Sequence, residues 1–176
     1  MKRLLCILLA LLVALGCAGK SYSTCTVRIE SGGRSIKMKV LKPKETPGPV
    51  PGILWIHGGG YMLGGTYMLG MTCAPMLAER FGAVVVFPDY RLAWQSPYPA
   101  ALEDCYAALE WMYAQADELG IDRSRIVVGG ESAGGGLTAA RYYLSTNLTA
   151  ILPQMLPSNH AKIFGKVPQN SPNSPE

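Results

Sequence analysis

The chain has 176 residues, of which 49% are apolar and 16% are charged, a length and composition typical of one globular domain with a buried core. Its formal net charge of +4 is too small and too scattered to indicate a nucleic-acid partner. Beyond the N-terminal segment lie Cys25, Cys73 and Cys105, whose odd number and irregular spacing argue against a disulfide framework and against a zinc site.

The first residues have the pattern of a signal peptide. Met1-Lys2-Arg3 is basic, and the apolar run from Leu4 to Leu15 is too short to span a bilayer core about 30 Å thick. The residues at the end of this run fit two kinds of processing site. Ala14-Leu15-Gly16-Cys17 resembles a bacterial lipobox, which would leave a lipid anchor at Cys17, and Gly16-Cys17-Ala18 fits an ordinary small-residue cleavage site. Residues 1–18 are therefore predicted to be a leader of a secreted protein or of a membrane-anchored lipoprotein, in a bacterial envelope.

The predicted elements after the leader alternate strands with helices. Thr24 to Ile29 and Ile36 to Val40 alternate apolar and polar residues around Ser31-Gly32-Gly33, which predicts an antiparallel hairpin. Lys42 to Gly52 is rich in proline and predicts a loop. The remaining predictions are a strand Ile53 to Ile56, a helix Thr72 to Phe81, a strand Ala83 to Phe87, a helix Ala100 to Leu119 that Gly120 ends, and a strand Ile126 to Val128. This order implies an α/β fold with a mostly parallel sheet, in a domain over residues 24–143.

The character of the sequence changes after Arg141. Leu144 to Leu156 is apolar but aperiodic, and Ser158 to Glu176 is rich in serine, asparagine and proline. Such a composition buries little apolar surface, so residues 144–176 are predicted to be a divergent, disordered tail.

A serine motif follows the strand Ile126 to Val128, whose apolar composition is that of a buried parallel strand. Gly130-Glu131-Ser132-Ala133-Gly134 fits a nucleophile elbow, a strand-to-helix turn so sharp that the serine backbone is strained. Its two glycines keep Cβ atoms out of the turn. Ser132 would then be exposed at a helix N-terminus, where the N–H of Ala133 can meet a developing oxyanion. For this pentapeptide alone, the alternative is a tight turn with a serine N-cap.

Two further motifs lie upstream of the serine. The strand Ile53 to Ile56 leads into His57-Gly58-Gly59-Gly60, whose glycines let backbone N–H groups line a cavity without obstruction by side chains. Asp89-Tyr90-Arg91-Leu92-Ala93 follows the strand Ala83 to Phe87.

These three motifs, in this order, resemble the hormone-sensitive-lipase-like branch of the α/β-hydrolases, a group of carboxylesterases and lipases. The resemblance extends from about Pro51 to about Arg141. It implies an α/β-hydrolase fold that is truncated after the helix of the elbow, and hydrolysis of a small acyl ester with Ser132 as nucleophile. It implies an oxyanion hole formed by the N–H groups of Gly58, Gly59 and Ala133, and it implies neither a metal nor an organic cofactor.

The catalytic triad cannot be completed from this sequence. In α/β-hydrolases the order is serine, acid, histidine, but Glu176 is the only carboxylate side chain after Ser132, and His160 precedes it. His57 and His160 are less favoured candidates for the base, because His57 belongs to the oxyanion loop and His160 to the tail. The alternative is therefore a catalytically inactive chain, either a truncated or frameshifted fragment or an exported binding protein.

Three other residues are predicted to be structural. Asp89 precedes Ser132, and we expect its carboxylate to accept hydrogen bonds from backbone N–H groups in the turn after its strand. Arg91 is expected to pair with a nearby carboxylate. Cys105 falls on the apolar face of the helix Ala100 to Leu119 and is expected in the core.

Overall fold

The structure, a computed structural model, describes residues 21–147. The predicted leader with Cys17, and His160 with the tail after residue 147, lie outside the described residues. The strands are β1 (Tyr22–Ser31), β2 (Arg34–Pro43), β3 (Val50–Ile56), β4 (Val84–Pro88) and β5 (Ile121–Gly130). The helices are α1 (Ala74–Phe81), α2 (Ala100–Ala114), α3 (Ala116–Leu119) and α4 (Ala133–Asn147), and a short 3₁₀ helix covers Thr66–Met71.

The five strands form one mixed sheet in the order β1-β2-β4-β3-β5. β1 and β2 form the predicted antiparallel hairpin, closed at Ser31 and Arg34 by two glycines with positive φ. β2 also pairs antiparallel with β4, whereas β3 pairs parallel with both β4 and β5. The carboxyl ends of the three parallel strands therefore meet at one edge of the sheet, where open α/β sheets bind their ligands.

Helices cover both faces of the sheet. Alternate residues of a strand point to opposite faces, so Val84 and Val86 pack in one buried cluster with α2 and α4, and Val85 and Phe87 pack in another with α1. Cys105 is buried in the first cluster, as predicted. Among the described residues, no helix has both the length and the apolar character needed to cross a membrane.

Two element boundaries differ from the predictions. The predicted helix Ala100 to Leu119 is two helices, because Gln115 leaves the helical conformation with ψ 11° and α3 begins after it. The predicted loop is shorter than Lys42 to Gly52, because β2 continues to Pro43 and β3 begins at Val50. Pro51, which has no N–H to donate, sits at an irregularity in the pairing between Val50 and Gly52.

The strand predicted at Ile126 to Val128 is present, but the prediction that it is buried was wrong. β5 is ten residues long, and among the described strands it pairs only with β3. Only its first residue, Ile121, is buried, and Val127 is 42% exposed. An apolar composition indicates a strand covered on both sides, but the position in the sheet decides the burial. At the other end of the elbow helix, α4 continues to Asn147, so residues 144–147 of the predicted tail are helical.

Candidate active site

Ser132 lies between the end of β5 and the start of α4, with its side chain exposed. Its φ of 53° is in the left-handed region, which is unusual for a residue with a side chain and stores strain. A Cβ on Gly130 would lie 2.7 Å from the carbonyl oxygen of Ile56, and a Cβ on Gly134 would overlap that same oxygen. The turn can therefore pack against the end of β3 only with glycines on both sides of Ser132, as the spacing predicts.

The His57-Gly58-Gly59-Gly60 loop passes directly beside this turn. A Cβ on Gly58 would lie 3.0 Å from the carbonyl oxygen of Glu131 and 3.4 Å from the Cβ of Ser132. Within residues 21–147, the N–H groups of Gly58, Gly59 and Ala133 donate to no protein acceptor. The fold thus brings together the four residues that the motifs selected, and it leaves their backbone donors free.

His57 is completely buried beneath this loop. Its Nδ1 lies 2.7 Å from the carbonyl oxygen of Gly58, and since a carbonyl only accepts, Nδ1 carries the proton. Nε2 is buried and has no hydrogen-bond partner among the described residues. Burial lowers the pKa of His57 below its ordinary value of 6.5, although the Gly58 carbonyl and the charges of Asp89 and Glu131 act in the opposite direction.

Tyr90 supports His57, a contact that the sequence reasoning missed. The two rings stack with their centroids 4.1 Å apart, and the Tyr90 hydroxyl donates to the carbonyl oxygen of His57 over 3.1 Å. Burial raises the pKa of Tyr90, so the hydroxyl keeps its proton. The sequence carried one signal for this role of Tyr90. It is an aromatic residue between Asp89 and Arg91, which were both expected to make structural contacts.

Asp89 and Arg91 are structural, but their partners differ in detail from the predictions. Asp89 accepts over 3.0 Å from the N–H of Thr66. Thr66 is the first residue of the 3₁₀ helix after the oxyanion motif, so this donor does not come from the turn of Asp89 itself. The second oxygen of Asp89 pairs with Lys37 over 3.3 Å. The Arg91 guanidinium forms a forked pair with the fully buried Asp104 of α2. The signal for Asp104 was a carboxylate whose neighbours one helical turn away are all alanine: Ala100, Ala101, Ala107 and Ala108.

No base contacts the serine in the part of the chain that the structure describes. No hydrogen bond joins His57 to Ser132, and the Glu131 carboxylate accepts instead from Trp55 Nε1 over 3.4 Å. Over the same residues, no cluster of three or more histidine, cysteine, aspartate or glutamate side chains is placed to hold a metal ion. The described residues thus present a strained, exposed serine and a set of free donors, and none of them is placed to activate the serine.

Comparison with known proteins finds relatives that are esterases or deacetylases by name. The chain is 40% identical over 119 residues to the carboxylesterase NlhH of Mycobacterium tuberculosis, covering 66% of this chain and 36% of the relative. It is 37% identical over 116 residues to arylacetamide deacetylase of Rattus norvegicus, covering 64% of this chain and 29% of the relative. The chain therefore spans about a third of the length of these curated relatives.

The solved structures that resemble this chain are also esterases by title. A bacterial heroin esterase superposes with a TM-score of 0.69 at 37% identity, over 80% of this chain and 45% of that one. EstE1, a thermophilic carboxylesterase cloned from a metagenomic library, gives 0.67 at 42% identity, over 72% of this chain and 42% of that one. A model of the family described as alpha/beta hydrolase fold matches residues 53–163, more than half of the chain. This chain therefore belongs to the α/β-hydrolase fold family, in the hormone-sensitive-lipase-like branch that its three motifs resemble.

Proposed function

We propose that this chain carries the nucleophile and the oxyanion-stabilising groups of a carboxylic ester hydrolase that acts on small acyl esters. The observation that carries the proposal is the close approach of Gly58 to the turn of Ser132, with the N–H groups of Gly58, Gly59 and Ala133 all free. Relatives whose names are carboxylesterase, esterase and deacetylase support the same chemistry.

In this proposal the Ser132 hydroxyl attacks the ester carbonyl carbon, and the negative charge collects on the carbonyl oxygen. The three N–H groups donate to that oxygen, and such donors contribute most when they are already in place before the reaction. His57 positions one of them. Because C=O and N–H of a trans peptide point in opposite directions, the bond from His57 to the Gly58 carbonyl fixes the N–H of Gly59 on the side away from the imidazole.

The attacking hydroxyl must also lose its proton, and no described residue is placed to accept it. A serine hydroxyl without a base is a weak nucleophile, and an oxyanion hole by itself retains only a small part of the catalysis. We therefore expect the chain to hydrolyse p-nitrophenyl acetate and butyrate barely above background, and Ser132→Ala to change this rate little.

Added imidazole tests whether the nucleophile and the oxyanion hole are nonetheless present. Imidazole in solution replaces the missing base, so it should accelerate hydrolysis more in the wild-type chain than in Ser132→Ala, which serves as the control for catalysis by imidazole alone. Equal imidazole-dependent rates in the two proteins would contradict the proposal. A high Ser132-dependent rate without imidazole would instead show that His57, His160 or a partner chain acts as the base.

A binding protein without catalysis is the second candidate, and the same absence of a described base favours it. It predicts that short esters bind but are not turned over, with or without imidazole. Isothermal titration of a non-hydrolysable ether analogue, together with the imidazole assay, distinguishes the two functions.

We further propose that the chain is exported, because Lys2-Arg3 precedes an apolar run that ends in small residues. Intact-mass measurement of the membrane and soluble fractions tests this proposal. A diacylglycerol adduct on Cys17 would indicate a lipoprotein, and a start at Gly19 would indicate soluble secretion. An unprocessed Met1 in the cytoplasm would contradict both.

A further inference from the structure

Tyr61 directly follows the three glycines of the oxyanion loop, residues 57–60, and its backbone is strained. Its φ of 62° lies in the left-handed region, which aromatic residues rarely adopt. Within residues 21–147, Ser132 is the only other residue besides glycine with a positive φ. Strain of this kind persists only where surrounding contacts fix the backbone, and it is concentrated at functional sites. The contacts that fix Tyr61 therefore bear on the geometry of the oxyanion loop.

The backbone after the loop is tied to the segment that follows β4. The carbonyl oxygen of Tyr61 accepts from the N–H of Ala93 over 2.8 Å. The next carbonyl oxygen, of Met62, accepts from Nε1 of Trp94 over 3.1 Å. The same segment contains the tyrosine that stacks on His57. It therefore holds the oxyanion loop at both ends.

The Tyr61 side chain contacts the first turn of α4. A Cβ on Gly136 would overlap the Tyr61 hydroxyl oxygen and would lie 3.7 Å from the ring carbon Cζ, so the end of the tyrosine rests on bare glycine backbone. Gly136 belongs to the turn that Ser132 begins, since its N–H donates to the carbonyl oxygen of Ser132 over 3.1 Å. The hydroxyl forms no hydrogen bond within residues 21–147, so this contact is one of shape.

The three glycines between these anchors do not hold their own conformation. Glycine has the widest range of backbone conformations, and Gly59 and Gly60 adopt positive φ values of 115° and 62°. Backbone donors stabilise an oxyanion best when they are fixed before the reaction. The order of the Gly58 and Gly59 N–H groups therefore has to come from the residues on either side, His57 and Tyr61.

We propose that Tyr61 is a positioning residue of the oxyanion hole, which fixes the Gly58 and Gly59 N–H groups by clamping the oxyanion loop to α4 at Gly136. The proposal rests on the function proposed above, since it assigns a role within the same site. The missing side chain at Gly136 is part of this clamp, because it leaves room for the tyrosine hydroxyl.

Gly136→Ala tests the clamp with little change elsewhere, because the added methyl group displaces only the end of a side chain. We expect the kcat of the Ser132-dependent reaction of p-nitrophenyl acetate in imidazole to fall at least about threefold with KM unchanged, since the donors act in the transition state. Gly135→Ala is the matched control. Its Cβ would meet the Gly130 carbonyl oxygen at 3.4 Å and no described atom of Tyr61, so kcat should stay unchanged. Urea unfolding should show both variants at least as stable as the wild type, because alanine favours the helix.

Tyr61→Phe supplies a rescue that a merely structural role of Gly136 would not give. Without the hydroxyl oxygen, Cζ of the ring would lie 3.7 Å from the new methyl group, an ordinary van der Waals contact. The double variant Y61F/G136A should therefore recover most of the wild-type kcat. Tyr61→Ala, which removes the ring, should lower kcat at least as much as Gly136→Ala, and adding Gly136→Ala to it should have no further effect, because the two residues act through one contact.

Nuclear magnetic resonance gives a readout that needs no activity. The ¹⁵N order parameters of the Gly58, Gly59 and Gly60 amides should be lower in Tyr61→Ala and Gly136→Ala than in the wild type, Gly135→Ala and Y61F/G136A. The proposal is overturned if these amides keep their order in Gly136→Ala, if Gly135→Ala lowers kcat equally, or if Tyr61→Phe fails to rescue. If the wild type shows no Ser132-dependent rate, the proposed hydrolysis is contradicted, and the order parameters alone decide whether the clamp exists.

Discussion

Gly134 lies where the first turn of α4 crosses the end of β3, and Gly135 follows it in the same helix. A Cβ on Gly134 would overlap the backbone carbonyl of Ile56, whereas a Cβ on Gly135 would lie 3.4 Å from the carbonyl oxygen of Gly130. Backbone atoms cannot move aside as a flexible side chain can, so the two neighbouring glycines differ sharply in what they tolerate.

We therefore expect Gly134→Ala to lower the free energy of unfolding by about 1–3 kcal/mol, the usual cost of overpacking. Gly135→Ala is the matched control, and it should be neutral or stabilise the protein by up to about 1 kcal/mol, because alanine favours the helix. Urea unfolding followed by circular dichroism measures both changes. Equal losses in the two variants would show that the tight contact with Ile56 does not limit the turn.

His57 makes the stability of the protein depend on pH. Its pKa is lower in the folded state than the ordinary 6.5 because it is buried, so below pH 6.5 the unfolded chain binds the proton more readily. The contribution of neutral His57 to the free energy of unfolding is therefore complete above about pH 6.5. It is lost as the pH falls towards the lower pKa of His57 in the folded state.

We expect the urea midpoint of the wild-type chain to fall between about pH 6.5 and pH 5. His57→Gln should be less stable at pH 7.5, because the stacking on Tyr90 is lost, but its midpoint should change less over the same pH range. The pKa values of the surface carboxylates of Asp117 and Asp122 are lowered from 3.8 by Arg123 and Ser124 respectively. Their titration therefore does not account for a change in the urea midpoint between pH 6.5 and pH 5. Parallel pH curves for the two proteins would contradict the assignment to His57.

At the scale of elements, a buried ion pair joins the loop after β4 to α2. The carboxylate of Asp104 is fully buried and receives the Arg91 guanidinium over 2.7 Å and the Arg91 backbone N–H over 2.8 Å. This pair holds Tyr90, and through it His57, against the first buried cluster. The position of the oxyanion loop thus depends on a contact made by a helix distant in sequence.

Asp104→Asn should lower the free energy of unfolding by up to about 3–5 kcal/mol, because it removes the closer counter-charge of Arg91 and leaves only the more exposed carboxylate of Glu103 at 3.6 Å. Asp117→Asn is the control. Its carboxylate pairs with Arg123 at the surface, so its removal should have little or no effect. Urea midpoints again provide the measurement, and similar effects of the two substitutions would show that Arg91 finds another partner.

At the scale of the whole molecule, the described sheet has an apolar edge. β5 pairs on one side only, and Val127 on it is 42% exposed. Unpaired N–H and C=O groups on such an edge can pair with a second chain. We expect concentration-dependent association in sedimentation velocity, and we expect Val127→Lys to reduce it, because a charged edge opposes pairing.

Phe81→Lys is the control for this prediction. Phe81 is 58% exposed at the end of α1, so the substitution adds the same charge and removes an exposed apolar side chain away from the edge. Equal reductions by the two variants would indicate nonspecific apolar association rather than strand pairing at β5.

The sequence by itself determined the features that depend on residues close together in the chain. The hairpin, the strained turn at Ser132 and the glycines on either side of it follow from local backbone requirements, which spacing alone reveals. The alternation of strands and helices likewise indicated the α/β class. The three motifs together indicated the family, since each of them encodes a backbone shape that the fold requires.

Only the tertiary structure decided which distant residues meet. The insertion of β4 between β2 and β3, the place of β5 at one edge of the described sheet, and the pairing of Arg91 with Asp104 all depend on packing across long stretches of chain. No local pattern encodes such contacts, because the composition of a strand indicates how far it can be buried but does not name the strands that pair with it. For the same reason, the sequence named the residues of the oxyanion loop, but only the fold placed Gly58 against Ser132.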